Sequence, residues 1–277
     1  MREYKSSKKP GKKRFKSGRI TFAAFVLAIL AIVLSSGDIR KAYHNLIGGG
    51  GQSQASSSEA TSLSTEASKG TDKPSYNLES IPEYSGETFV RLEDNKPSFN
   101  KEDMNKDAFE SYSDLDSLGR CGVAYAKLGK ELMPTSSRED ISMIKPSGWK
   151  VYRYPDLIED VLLYNRSHLI AFSLAGENAN ERNLITGTRY LNQEGMLPFE
   201  VGVREYINKT GNHVMYRVTP VFKDNELVAR GVIMEAYSVE DEGKGICFNV
   251  YIYNVQPGVE IDYATGKSKR AARSRAA

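Results

Sequence analysis

The sequence predicts an α+β domain of about 190 residues, carried behind an N-terminal apolar helix and a polar stalk. Three observations predict it. Residues 20–37 contain no charged residue and are almost wholly apolar. Three later stretches, 213–222, 226–239 and 245–255, alternate or run in β-branched and aromatic residues between turn signals, as strands of an antiparallel meander do. Between these two regions, residues 184–207 carry helical signals, with Pro198 placed for a first turn or a kink.

The elements follow in chain order. Residues 1–19 hold nine Lys or Arg against the single Glu3. The charge-free run that follows is about the minimum length for a membrane-crossing helix. A basic cluster before it places the N-terminus in the cytoplasm and the rest of the chain outside. The Leu-Ser-Ser-Gly end of the run is a weak small-residue cleavage site, so the expectation is an uncleaved signal-anchor, with secretion after cleavage as the alternative. Residues 38–79 form a stalk whose Gly/Ser/Thr-rich centre lacks the large apolar residues needed to repay the entropy of ordering. Aromatic and β-branched residues then return, defining a domain over residues 80–265, and a basic tail occupies 266–277.

Charge is uneven along the chain. The overall formal net charge is +3, yet residues 1–19 contribute +8 and residues 267–277 contribute +5, which leaves −10 for the segment between them. Any phosphate-binding surface in the domain must therefore be a local arrangement of Arg and Lys. Cys121 and Cys247 are too few for a disulfide scaffold and lack the spacing of a thiolate zinc site. Two separate thiols or one bridge both fit, since an extracytoplasmic location permits oxidation.

Chemistry concentrates between residues 164 and 206, where a His, amides, a carboxylate and arginines lie close in sequence. Hydrolysis of a phosphodiester needs a base on one side of the phosphorus and a cation on the other. His168 suits the base, because a neutral imidazole accepts a proton near neutrality. Asn192 suits the cation, because an amide oxygen ligates a hard ion without neutralising its charge. Glu200 could orient that ion's waters; Arg204, four residues on, shares a helical face with it. Arg166 could clamp a phosphate oxygen. Taken singly, each of these residues has an ordinary reading as a core imidazole, a cap, a surface ion pair or a solvated arginine. His213 and His44 have packing or interfacial explanations.

These segments together resemble the DNA/RNA non-specific endonucleases, the ββα-metal or His-Me-finger class, in its DNA-entry branch. The family's D-R-G-H motif corresponds to Asn165-Arg166-Ser167-His168, and its downstream Asn, Glu and Arg to Asn192, Glu200 and Arg204. Further resemblance lies in Lys145–Trp149, in Tyr216–Pro220, in Phe248–Gly258 and in Ile261–Tyr263, so that it covers roughly residues 80–265. The resemblance implies a ββα-metal core with an antiparallel sheet. It further implies hydrolysis of DNA, with RNA as a possible second substrate, leaving 5′-phosphate and 3′-hydroxyl ends. His168 would be the base, with Arg166, Glu200 and Arg204 beside it. Asn192 would hold Mg²⁺, for which Mn²⁺ could substitute, and Asn183 matches a second Asn found before the metal-binding one. Asn165 in place of Asp removes a charge next to the base, and Ser167 replaces a Gly. A non-catalytic, surface-anchored nucleic-acid-binding module of the same fold is the rival reading. A wall-directed hydrolase finds no zinc-ligand His/Glu pattern and no Cys/His pair in this sequence.

Overall fold

The computed structural model describes residues 78–158 and 162–272. The predicted membrane segment and nearly all of the stalk lie outside the described residues. Among the described residues no helix is long and apolar enough to cross a membrane.

The domain is α+β and centres on a six-stranded antiparallel sheet. Its strands are β1 (Phe89–Arg91), β2 (Phe109–Tyr112), β3 (Ala124–Leu128), β6 (Val214–Val221), β7 (Gly231–Ser238) and β8 (Cys247–Tyr253), in the order β1-β8-β7-β6-β3-β2. The remaining strands pair outside this sheet: β4 (Tyr164–His168) with β5 (Leu184–Thr188), and β9 (Val259–Asp262) with β10 (Lys267–Arg270). The expected meander is β6-β7-β8, paired from Val214↔Ser238 onward. Its middle strand starts at Gly231, five residues later than the apolar pattern begins.

Alternation along these strands divides the sheet into two faces. Val214, Tyr216 and Val218 of β6, Val232, Met234 and Ala236 of β7, and Phe248, Val250 and Ile252 of β8 enter the main core. After the short helices α1 (Lys101–Met104) and α2 (Phe172–Ala175), the long helix α3 (Leu197–Thr210) packs against these sheet residues through Phe199, Val203 and Ile207. The Phe199 ring stands 4.8 Å from that of Phe248 and 5.1 Å from that of Phe89. The opposite face buries the cross-strand pair Arg217 and Glu235, with Nε to Oε2 at 2.7 Å. Phe99 and Tyr125 cover that guanidinium. Pro198 falls in the first turn of α3, where its missing N–H costs nothing.

Two expectations are corrected. The helical reading of 184–207 fails over its first five residues, because Leu184–Thr188 pairs as β5 with β4. Ile185, Thr186 and Thr188 favour a strand once a partner is present, and that partner lies sixteen or more residues upstream, beyond the reach of a local pattern. The basic segment that begins after 265 contributes β10, and Tyr154 meets Ser268 at 2.8 Å across it, so the domain continues to Arg270. Both cysteines are free thiols, Cys121 buried and Cys247 half-buried.

Candidate active site

The site is built on a hairpin followed by a helix. β4 and β5 pair from Tyr164↔Thr188 to His168↔Leu184, with the short helix α2 (Phe172–Ala175) in the connection. β5 then leads into a wide π-turn, Leu191–Met196, that continues as α3. Its opening is marked by Leu197 N–H donating to the Asn192 carbonyl, five residues back. Gly195 permits this turn to lie on the sheet, since a Cβ there would stand 2.4 Å from the Ile252 methyl.

Asn254 seats the hairpin. It is fully buried, accepts from Thr188 N–H at 2.8 Å, and donates to the carbonyls of Thr186 and Ala229 at 3.1 and 2.9 Å. Gln256 accepts from Tyr190 N–H at 3.1 Å, and the Tyr263 hydroxyl donates to the Asn254 carbonyl at 2.7 Å. The segment Phe248–Gly258 thus carries the polar seat of the hairpin as well as a core strand.

His168 is 6% exposed, at the end of β4. Its Nε2 lies 2.9 Å from the Asn178 carbonyl oxygen. A carbonyl only accepts, so Nε2 carries the proton and Nδ1 presents its lone pair. Arg138 Nη2 donates to that Nδ1 at 3.2 Å. Burial, reinforced by the Arg138 charge and opposed by the Asn178 bond, lowers the imidazole to about 4, so His168 is a neutral base at neutral pH.

Glu200 lies in the first turn of α3. Desolvation pushes its carboxyl up to about 8, against the Arg204 and Arg138 charges. Arg204 lies one turn further on and acts on Glu200 without closing into an ion pair. Asn192 is half-buried in the π-turn, and its side-chain amide makes no hydrogen bond among the described residues. Arg138 ties the two halves together, since its charge acts on both His168 and Glu200.

Two predicted site residues are bonded to backbone groups. Arg166 donates from Nε to the Ile144 carbonyl and from Nη2 to the Ser142 carbonyl, at 2.5 and 2.6 Å, and stacks 4.2 Å from the Trp149 ring. It braces the loop that runs past the base. Asn183 is fully buried; its amide accepts from Ile170 N–H at 2.8 Å and donates to the Ile170 carbonyl at 3.0 Å. Both ends of that amide brace the chain just after His168. Arg138 was missed. It stands in a run of exposed polar residues, Thr135–Asp140, where sequence pattern gives an arginine no distinction.

The two departures from the motif have separate structural settings. Ser167 is fully buried and its Oγ has no hydrogen-bond partner. It fits because Gly187 faces it: a Cβ there would stand 2.2 Å from that Oγ. Asn165 pairs through its backbone with Gly187, and its side chain makes no hydrogen bond among the described residues.

The family model of the DNA/RNA non-specific endonucleases matches residues 99–240, half of the chain and the whole hairpin-helix unit. The chain belongs to the DNA/RNA non-specific endonuclease family. A curated deoxyribonuclease of Streptococcus dysgalactiae subsp. equisimilis is 34% identical to this chain over 196 residues, covering 56% of the chain. The chain spans 59% of the length of that relative. Among solved structures, NucA from Streptococcus agalactiae with magnesium ion bound matches with a TM-score of 0.59 and 27% identity, over 66% of this chain and 88% of that one. The Sda1 nuclease with bound zinc ion matches with a TM-score of 0.52 and 30% identity, over 59% of this chain and 82% of that one. The endonuclease domain shares its α+β fold and antiparallel sheet with these nucleases.

Proposed function

We propose that the protein is a divalent-metal-dependent endonuclease that hydrolyses DNA, with RNA as a further substrate, using Nδ1 of His168 as general base. One observation carries the reading: the Asn178 carbonyl fixes the tautomer of a buried, neutral His168, leaving a lone pair on the side from which a water can be deprotonated.

The residues present fit a hard divalent cation. Asn192 offers an amide oxygen that no other group occupies, and among the described residues no cluster of three or more His, Cys, Asp or Glu side chains could hold a metal. A neutral amide oxygen suits a hard ion such as Mg²⁺, for which Mn²⁺ could substitute, better than zinc. When bound, the ion would supply positive charge at the leaving oxygen and acidify its own waters. Glu200 would orient the waters of that ion, whose positive charge would favour the carboxylate form. Arg204 offsets charge on the phosphate. His168 takes the proton of the attacking water and releases it after product leaves.

Substrate contacts made mainly to phosphates give cleavage with little base preference. The relatives named for deoxyribonuclease and nuclease activity support a nucleic-acid substrate. We place the domain outside the cell membrane on a single-pass anchor at residues 20–37, on the strength of the charge-free run and the basic cluster before it.

The test is plasmid cleavage by the full chain in Mg²⁺ or EDTA, beside His168→Ala and Asn192→Ala variants of equal fold. Cleavage confined to the metal-loaded wild type is expected. Intact plasmid under all divalent ions and pH values would leave the binding-module reading in its place.

A further inference from the structure

We infer that Glu110 and Glu177 are positioning residues for the base: a proton held between their carboxyls ties down the loop that presents the Asn178 carbonyl to His168. The inference rests on the nuclease reading of the site. That carbonyl, 2.9 Å from Nε2, is the group that fixes the His168 tautomer. It lies in the connection after α2, and the connection is thinly fastened. Gly176 N–H caps α2 at the Phe172 carbonyl, and the Asn180 side chain caps the turn that follows. Between them, residues 177–179 form no backbone–backbone hydrogen bond among the described residues. The Asn178 amide is buried with neither end bonded. Apart from the His168 contact, the polar fastening left to this stretch is the Glu177 carboxyl, which comes within hydrogen-bond reach of Glu110 on β2.

Two carboxyl groups bond to each other only when one carries a proton, because two carboxylates offer acceptors alone and repel. Glu110 faces Tyr112 on its own strand and Glu177 from the loop, and its partner on β3 is Ala126. No Lys, Arg or His among the described residues pairs with it. Burial, and after it the Glu177 charge, hold the Glu110 carboxyl above its usual range, against the Tyr112 hydroxyl that donates to Oε2 at 3.0 Å. Glu110 is therefore the partner that keeps the proton and donates to the Glu177 carboxylate. As pH rises through the Glu110 titration, that proton passes to solvent and the two carboxylates repel. The Asn178 carbonyl then loses its tether, and His168 loses the acceptor that holds its proton on Nε2.

The experiment compares the full chain with Glu110→Ala and Glu110→Gln, equal thermal melting serving as the folding control. The Gln amide donates to Glu177 at every pH, and Ala donates at none. At mildly acidic pH, with saturating DNA in Mg²⁺, kcat of Glu110→Ala should fall roughly 10-fold, the lower end of what loss of a group orienting a functional His costs, with KM unchanged. Glu110→Gln should restore it. At alkaline pH the wild type should converge on Glu110→Ala while Glu110→Gln does not. In EDTA without DNA at mildly acidic pH, amide exchange read by mass over residues 176–180 should be several-fold faster in Glu110→Ala than in wild type or Glu110→Gln. Wild-type kcat in Glu110→Ala, an alkaline decline in Glu110→Gln matching that of wild type, or equal exchange in all three would overturn the inference while leaving the nuclease standing. A wild type that cleaves no DNA would remove the nuclease reading alone, and the exchange comparison would then decide the tether by itself.

Discussion

Ser167 shows what a single side chain concedes to its surroundings. Its hydroxyl is buried without a partner, tolerated only because Gly187 leaves room. Ser167→Ala removes that orphan group and should raise stability by about 1 kcal/mol in urea titration, with cleavage unchanged; a loss of stability would mean the hydroxyl is bonded. His168 makes a pH prediction. Its folded pKa lies near 4, below the ordinary 6.5, so the unfolded chain takes up the proton first as pH falls. The related stability is complete above pH 6.5 and is lost on descent toward 4. Denaturation midpoints measured at pH 7 and 4.5 should therefore separate more in wild type than in His168→Gln. Among candidate site residues, His168, Asn192, Glu200 and Arg204 were picked out because motif residues at fixed spacing carry them. The backbone bonds of Arg166 and Asn183 were not legible, since a side chain bonded to a backbone carbonyl reads in sequence like one aimed at a ligand.

At the scale of elements, the hairpin of β4 and β5 is held by a polar seat as well as by its buried Tyr164, Leu184 and Ile185. Asn254 fills three backbone hydrogen-bonding groups at once. Asn254→Ala leaves them buried and unpaired, with an expected cost of roughly 3 kcal/mol; hydrogen exchange should then quicken first at Thr186–Thr188 and little in β6 or β7. The meander strands were readable from alternation alone, and α3 from Pro198 and its apolar spacing. β5 was not, for its strand character depends on a partner outside any local window. The short strands β1, β2 and β3 escaped for the related reason that three to five residues hold too few alternations to register.

At the scale of the whole molecule, His213 joins three distant pieces of chain. Its Nε2 meets Glu131 at 2.9 Å and its Nδ1 meets Glu240 at 2.5 Å. Burial works against protonation, but the two carboxylates outweigh it and raise the pKa above 6.5. Stability from this cluster is thus present below pH 6.5 and lost as pH rises through the folded value. His213→Ala should lower the melting temperature more at pH 6 than at pH 9, while leaving DNA cleavage in place; an equal drop at both would argue for packing alone. The basic run after residue 265 reads in sequence as a solvated tail until its partner strand is seen. The polar seat also orders the molecule in time. Every candidate site residue has been synthesised once the ribosome passes Arg204, whereas Asn254 and Gln256 emerge some fifty residues later. A nascent chain therefore carries every candidate site residue before the seat of their hairpin exists, and the site can assemble only after Asn254 and Gln256 have emerged.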